Sequence, residues 1–444
     1  MPRRSKTSMG ISRGVASAPP NRLPRQGKLP LRSGNHSRNE ERTARSRHTE
    51  VARTRGSHRP LLSSTPVPNT PQSNRRALIE SLGRHRRGRI YLSVLIFLFA
   101  VFALAAQAPT LPEVISVTGD TEFVHDPSFM KQGGTWYLFS TGAGPNHQGE
   151  LPLRCSKDLR VWTRCGSVLE HIPDWIVQQS PLTRNLWAPD ISFFNGEYHL
   201  YYAFSIFGKN TSGIALLTNQ TLDRESQHFS WKDCGLVLQS RGEDNFNAID
   251  PNVVLDKNRH AWLAFGSFWD GIKMRRLDER TGKLSSSDTK LYSLARRKRP
   301  ENAPPNPAGL PGNWQAIEAP FIVHHGSYYY LFVSFDLCCR GTKSTYKIMV
   351  GRSQDVTGPY TDQNGMPMLD GGGTPVLVGN DRWLGPGGQS IRMGREQGLG
   401  HDHDVMVFHA YDNKTGSPYL QVSSIDWAGG WPHVALAGSN PAKP

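Results

Sequence analysis

From residue 124 onward, apolar and aromatic residues fall into short runs separated by Gly, Asn, Asp and Pro. Five of these runs follow a recurring cluster. His125-Asp126-Pro127 leads into Gly134-Thr135-Trp136-Tyr137-Leu138-Phe139-Ser140, and Trp187-Ala188-Pro189-Asp190 into Gly196-Glu197-Tyr198-His199-Leu200-Tyr201-Tyr202. Ile249-Asp250-Pro251 precedes Ala261-Trp262-Leu263-Ala264-Phe265-Gly266, and Ile317-Glu318-Ala319-Pro320 precedes Gly326-Ser327-Tyr328-Tyr329-Tyr330-Leu331-Phe332. A weaker fifth copy, Gly385-Pro386-Gly387-Gly388-Gln389-Ser390, precedes Val405-Met406-Val407-Phe408-His409-Ala410-Tyr411. Bulky and small residues alternate within each run, which predicts strands, and the repeats lack helical periodicity.

A repeat of several strands at a nearly fixed period predicts a radial architecture. From Asp126 the offsets are 64 to Asp190, then 60 to Asp250, 68 to Glu318 and 69 to Gly387. Five such units without intervening helices predict an all-β fold, a five-bladed β-propeller of four-stranded blades. Equivalent positions on the inner strands of a propeller converge near its axis. Asp beside Pro is also common in simple turns, but acids at one phase of successive repeats point to a shared funnel.

Net charge alters the picture of the N-terminal part only. The formal charge of +15 suggests nucleic acid, yet residues 1–90 hold 21 Lys and Arg against 4 Asp and Glu, a balance of +17. The remainder holds 31 basic and 33 acidic residues, a balance of −2, so no nucleic-acid partner is expected for the folded part. Residues 1–89 are rich in Arg, Ser, Pro and Asn and bury too little apolar surface to offset chain entropy, so they read as a disordered basic tail. Residues 90–106 carry no charge, and Arg84, Arg86, Arg87 and Arg89 precede them. As a helix this run is about 25 Å long, against a bilayer core of about 30 Å. Two readings stand: an uncleaved signal anchor with the N-terminus in the cytosol, or a signal peptide cut near Ala103-Leu104-Ala105 or Gln107-Ala108. The 89-residue n-region favours the anchor, a type II single-pass protein. Either way the rest of the chain is extracytoplasmic. Residues 107–114 read as a linker and 115–444 as the propeller.

Residues 296–311 are basic and rich in Pro, Asn and Gly, a long surface loop before the fourth repeat. Asn210-Thr211-Ser212, Asn219-Gln220-Thr221 and Asn413-Lys414-Thr415 are acceptors for glycosylation if this part is extracytoplasmic. Five cysteines without a Cys-x-x-Cys pair give zinc little support. In an oxidising compartment Cys155 and Cys165 are candidates to bridge neighbouring strands, and Cys338 and Cys339 for a vicinal disulfide; buried thiols are the alternative.

Carboxylates facing a groove with aromatics are the minimum kit for glycoside hydrolysis. One carboxylic acid protonates the leaving oxygen, and a carboxylate activates water or attacks carbon. Trp187, Phe207, Phe268 and Trp269 follow repeat strands, where loops reach the funnel and where an aromatic face suits the apolar side of a sugar ring.

His125-Asp126-Pro127, Leu186-Trp187-Ala188-Pro189-Asp190, Asn247-Ala248-Ile249-Asp250-Pro251, Gly266-Ser267-Phe268-Trp269-Asp270-Gly271 and Ile317-Glu318-Ala319-Pro320 together resemble the endo-1,5-α-L-arabinanases of glycoside hydrolase family 43. The resemblance covers residues 115–444. It implies a five-bladed propeller and an inverting mechanism, with Asp126 as general base, Glu318 as general acid and Asp250 as the carboxylate that sets the acid's pKa and orientation. It implies a substrate groove at Trp187, Phe207, Gly208, Asn247, Ser267, Phe268 and Trp269. Inversion requires room for water, with the two carboxyls roughly 6.5–9.5 Å apart. The charge of Asp250 is expected to raise the pKa of Glu318 by repulsion. No cofactor is required. Many bacterial members carry His after Gly-Pro-Gly in the fifth repeat, where it helps to hold an ion; Gly388-Gln389 stand here, which puts a central calcium in doubt, and His409 is the candidate substitute.

The expected partners are linear α-1,5-arabinan and arabino-oligosaccharides, with a membrane through residues 90–106 if these are uncleaved; the protein is read as a monomer. An exo-acting arabinofuranosidase or β-xylosidase of the same fold and a non-catalytic carbohydrate-binding propeller are the alternatives.

Overall fold

Five antiparallel sheets follow one another along the chain, each opening with one of the recurring clusters. The computed structural model describes residues 111–142, 149–298, 316–394 and 403–438. The inner strands are Ser128–Gln132, Trp187–Phe194, Asn252–Leu255, Ile317–His325 and Trp383–Arg392. Each touches the inner strand of the next blade, and the fifth touches the first, which closes a five-bladed β-propeller. Blade one gains a fifth strand, Thr118–Gly119, parallel to its outer strand, and blade three splits its outer strand into Lys283–Leu284 and Tyr292–Ala295. One short helix, Asp174–Gln179, lies between blades one and two.

The strands read as nearly continuous apolar runs because both faces of each blade are covered. Between blades one and two Phe139, Leu153, Leu200 and Tyr202 pack together, and between blades two and three Tyr201, Leu216, Leu263 and Phe265 do so. Leu331 and Ile272 meet between blades three and four, Phe332 and Phe408 between four and five, and Trp136, Trp162 and Val407 between five and one. Full burial of one such side chain contributes about 1.5–3 kcal/mol. The ring closes through the N-terminal segment: the Ile115 amide donates to Val422 of blade five at 2.9 Å, and the Leu420 amide donates to Thr121 at 2.8 Å.

Side chains on the inner strands latch each blade to the next. Ser128 Oγ accepts from the Ile191 amide (3.1 Å), Asp190 Oδ2 from the Val253 amide (2.9 Å) and Asn252 Oδ1 from the Ile322 amide (2.9 Å). Asp190 therefore occupies a structural ring shared with Ser128 and Asn252. Burial raises its carboxyl to about 6, against the lowering effects of Arg392 and these bonds. Asp190→Ala removes the partner of the Val253 amide and of Asn252 Nδ2, so chemical denaturation should show a loss of about 1–3 kcal/mol. An unchanged denaturation midpoint would remove the latch from this account.

Both cysteine pairings form: Cys155–Cys165 joins neighbouring strands of blade one, and Cys338–Cys339 is a vicinal disulfide. Two sequons are corrected. Asn210 is only 6% exposed, its amide donating to the carbonyls of Arg241, Asp244 and Phe246, and Asn219 is 3% exposed, its oxygen accepting from the Thr221 and Ser230 amides. A glycan cannot be attached to nitrogens so buried, and of the three sequons only Asn413 is exposed. The basic tail, the apolar run 90–106 and most of the 296–311 loop lie outside the described residues. Among the described residues no helix is long and apolar enough to cross a membrane.

Candidate active site

The site is built on a backbone feature repeated five times. Asp126, Ala188, Asp250, Ala319 and Gly388 all have left-handed φ, at 47°, 43°, 55°, 52° and 58°. Pro follows the first four, and the ladder register shifts around the equivalent positions of blades two, four and five. A non-glycine residue costs roughly 1–2 kcal/mol in this region, and such strain concentrates at functional sites. The five positions are spaced 62, 62, 69 and 69 residues apart. The phase inferred from sequence is thereby corrected: Asp190 lies two residues beyond the ring, Glu318 one residue before it, and Gly388, not Gly387, is the fifth member. Glu318 shares its phase with His125 and Trp187.

Asp126 and Asp250 both line the axial opening, with Ser128, Asp190, Gln389 and Ser390. Asp126 Oδ2 accepts from Thr141 Oγ1 and from His125 Nδ1, both at 2.8 Å. Its amide donates to His409 Nδ1 at 3.2 Å, and the His409 ring stacks on His125 at 3.9 Å. Burial pushes the Asp126 carboxyl up, but the charge and hydrogen bond of His125, then His409 and Thr141, outweigh it and hold the group down at about 2. Burial and the neighbouring His125 keep His409 neutral, well below the ordinary histidine range. Gly388 makes this packing possible: a Cβ there would stand 2.6 Å from Asp126 Oδ1 and 2.9 Å from the His409 ring.

Glu318 is held from both sides. Ser267 Oγ donates to Oε2 at 2.5 Å, and the Tyr346 hydroxyl donates to Oε1. Either hydroxyl can turn to accept when Glu318 carries its proton. Burial lifts its carboxyl to about 7, Ser267 opposes, and the charge of Asp126 adds to the lift. The expected cause, repulsion from Asp250, is not among these: the lift comes from burial and from the charge of Asp126. Asp250 is itself pushed well above the carboxylate range, by burial first and then by Glu318 and Asp126, while the Ala319 amide donating to Oδ2 at 3.0 Å opposes. Two interacting buried carboxyls titrate as a pair.

Of the expected groove residues, Ser267 bonds an acid directly, through Glu318. The turn carrying Ser267, Phe268 and Trp269 is seated on blade four by the Phe268 amide, which donates to Ile317 at 2.8 Å, and both aromatics have left-handed φ. Trp187 is half-buried, its indole donating to Asn185 at 2.9 Å. Phe207 is 75% exposed, beside Gly208 with φ of 79°. Asn247 is buried and accepts from Ser212 at 2.7 Å, so it braces the loop instead of meeting solvent. Thr141, Tyr346 and Tyr411 were not singled out by sequence. Thr141 and Tyr346 stand outside the recurring segments, and Tyr411 closes the fifth apolar run as one aromatic among many.

Gln389 bridges blades four and five, donating to Ala319 at 2.8 Å and accepting from Ser334 at 3.2 Å. His125, Asp126 and His409 bring donor atoms within 4.8 Å of one another. Calcium prefers six to eight oxygens, whereas this set offers two imidazoles and one carboxylate already hydrogen-bonded. These residues do not by themselves make a calcium cage, and no step below uses an ion.

A closed propeller whose axis gathers one carboxyl pushed down and another pushed up, beside the half-buried Phe268 and Trp269, has the build of a carboxylate-dependent glycoside hydrolase. The profile of the Glycosyl hydrolases family 43 matches residues 120–432. The chain belongs to glycoside hydrolase family 43. It is 43% identical over 334 residues to the extracellular endo-α-(1→5)-L-arabinanase 1 of Bacillus subtilis (strain 168), covering 75% of this chain and 93% of the relative. It is 40% identical over 317 residues to the extracellular exo-α-(1→5)-L-arabinofuranosidase ArbA of Cellvibrio japonicus (strain Ueda107), covering 70% and 86%. Among solved structures, the family 43 endo-arabinanase from Bacillus licheniformis is similar at a TM-score of 0.62 and 43% identity, covering 72% of this chain and 99% of that one.

Proposed function

We propose that this enzyme hydrolyses α-1,5-linked L-arabinofuranosyl bonds within arabinan, with inversion at the anomeric carbon. The observation that carries the reading is the opposite displacement of two carboxyls, Asp126 held down at about 2 and Glu318 lifted to about 7. Groups pushed apart in this way divide into base and acid. Glu318 gives its proton to the glycosidic oxygen as the bond to the anomeric carbon breaks. Asp126 takes a proton from the water that attacks the opposite face. Asp250, anchored on the Ala319 amide, sets the protonation and orientation of Glu318; after each turnover Asp126 loses its proton to solvent and Glu318 regains one from solvent. Both transfers use carboxyls of the chain, so no cofactor enters. Trp187, Phe207, Gly208, Ser267, Phe268 and Trp269 would hold the sugar chain, with Asn247 bracing the loop beneath it.

The named activity of the Bacillus subtilis relative supports an endo mode, and that of the Cellvibrio japonicus relative an exo mode at nearly the same identity. Product analysis on linear arabinan separates them. An endo enzyme releases a ladder of oligosaccharides from the first minutes, which is the expected result. One short product from the outset would favour the exo reading, and no product at all would favour a binding propeller. We place the domain outside the cytoplasm, since its two disulfides suit an oxidising compartment. Residues 90–106 would carry it there, as an anchor or as a cleaved signal.

A further inference from the structure

We propose that the vicinal disulfide Cys338–Cys339 is a positioning element for Asp126, acting through Tyr411 and His125; this rests on reading Asp126 as the general base. The disulfide closes a small ring through the intervening peptide, which leaves the turn few conformations. Cys339 has a left-handed φ of 65°. Its amide donates to the Tyr411 hydroxyl at 2.9 Å.

Two bond directions follow from what each group can do. A backbone amide only donates, so the Tyr411 oxygen accepts from Cys339 and the hydroxyl holds His125 Nε2, 2.7 Å away. The Asp126 carboxylate only accepts, so His125 donates to Oδ2 from Nδ1 at 2.8 Å. Thr141 donates to the same oxygen at 2.8 Å. The relay thus occupies Oδ2 and leaves Oδ1, beside Gly388, to receive the proton of the attacking water. The disulfide also packs against the ring it orients: Cys339 Sγ lies 3.7 Å from His125 Nε2. Cys339 is exposed at the rim, within reach of a reductant.

A dithiol reductant opens this link by a balanced exchange. The Cys338–Cys339 S–S bond breaks to two thiols, and the reductant loses two protons and two electrons to become its cyclic disulfide. The freed turn no longer fixes the Cys339 amide on Tyr411. A misplaced base lowers kcat, and displacements of this kind cost up to about a hundredfold.

The test compares the wild type and Tyr411→Phe on linear arabinan, each before and after treatment with a dithiol, with mass spectrometry mapping the reduced cysteines and circular dichroism following the fold. Opening Cys338–Cys339 in the wild type should lower kcat about tenfold with KM within twofold, and re-oxidation by a small disulfide should restore it. Tyr411→Phe should show a similar loss and then no further response to the dithiol, because the link is already cut. A Cys338→Ser/Cys339→Ser variant should reproduce the reduced wild type without any reductant, and a Cys155→Ser/Cys165→Ser variant should keep the full response. Losses that multiply in Tyr411→Phe, an unmoved wild-type kcat, or a response that vanishes with Cys155 and Cys165 would each overturn the relay. Failure of the base reading looks different: Asp126→Asn would then keep its kcat whatever the dithiol does.

Discussion

Asp126→Asn should lower kcat on linear arabinan by about 10²–10⁴-fold while leaving the fold intact. The backbone tolerates the change, because Asn is one of the few residues at ease with the left-handed φ of 47° at this position. The amide oxygen can still accept from His125 and Thr141, which are 2.8 Å from Oδ2 in the present structure. What disappears is the negative charge that takes a proton from water. Circular dichroism and steady-state kinetics check both halves of the prediction. Retention of more than half of the wild-type kcat would remove Asp126 from the role of base.

Glu318→Gln should cost a similar factor on arabinan, because the leaving sugar alkoxide is strongly basic and its oxygen must be protonated as it departs. The loss should shrink on an arabino-oligosaccharide bearing an acidic phenol as leaving group, which needs no such help. The pH profile gives a second readout. Glu318 acts in its protonated form, so wild-type activity should fall as pH rises through about 7, the value to which burial lifts this carboxyl. That alkaline limb should be absent from the residual activity of the Gln variant. An equal loss on both substrates, with the alkaline limb unchanged, would mean that another group is the acid.

Much of this site is legible in the chain because the inner strand of every blade opens with the same short cluster. Five copies of the cluster are enough to predict five blades, and the phase of His125-Asp126-Pro127, Ile249-Asp250-Pro251 and Ile317-Glu318-Ala319-Pro320 brings the acids to one axis. Its phase is harder to read. Asp190 follows Pro189 directly and looks like another member, yet the left-handed residue before the proline, Ala188, is the true counterpart of Asp126. The sequence does not display that conformation, and an acid two residues along a strand serves as a latch to the Val253 amide instead. Tyr346 and Thr141 reach the acids, and Tyr411 reaches His125, from outside the inner strands, and no spacing rule points to them. The sequons illustrate the same limit: Asn210 and Asn413 match one pattern, but burial against three carbonyls closes the first.

The stereochemistry of the first product is the most direct test of an enzyme in which Asp126 activates water and Glu318 protonates the leaving oxygen. Proton NMR in the first minutes of arabinan hydrolysis, before mutarotation, should show the new reducing end as the β-anomer. An α-anomer appearing first would require a covalent intermediate on the enzyme and would contradict the account.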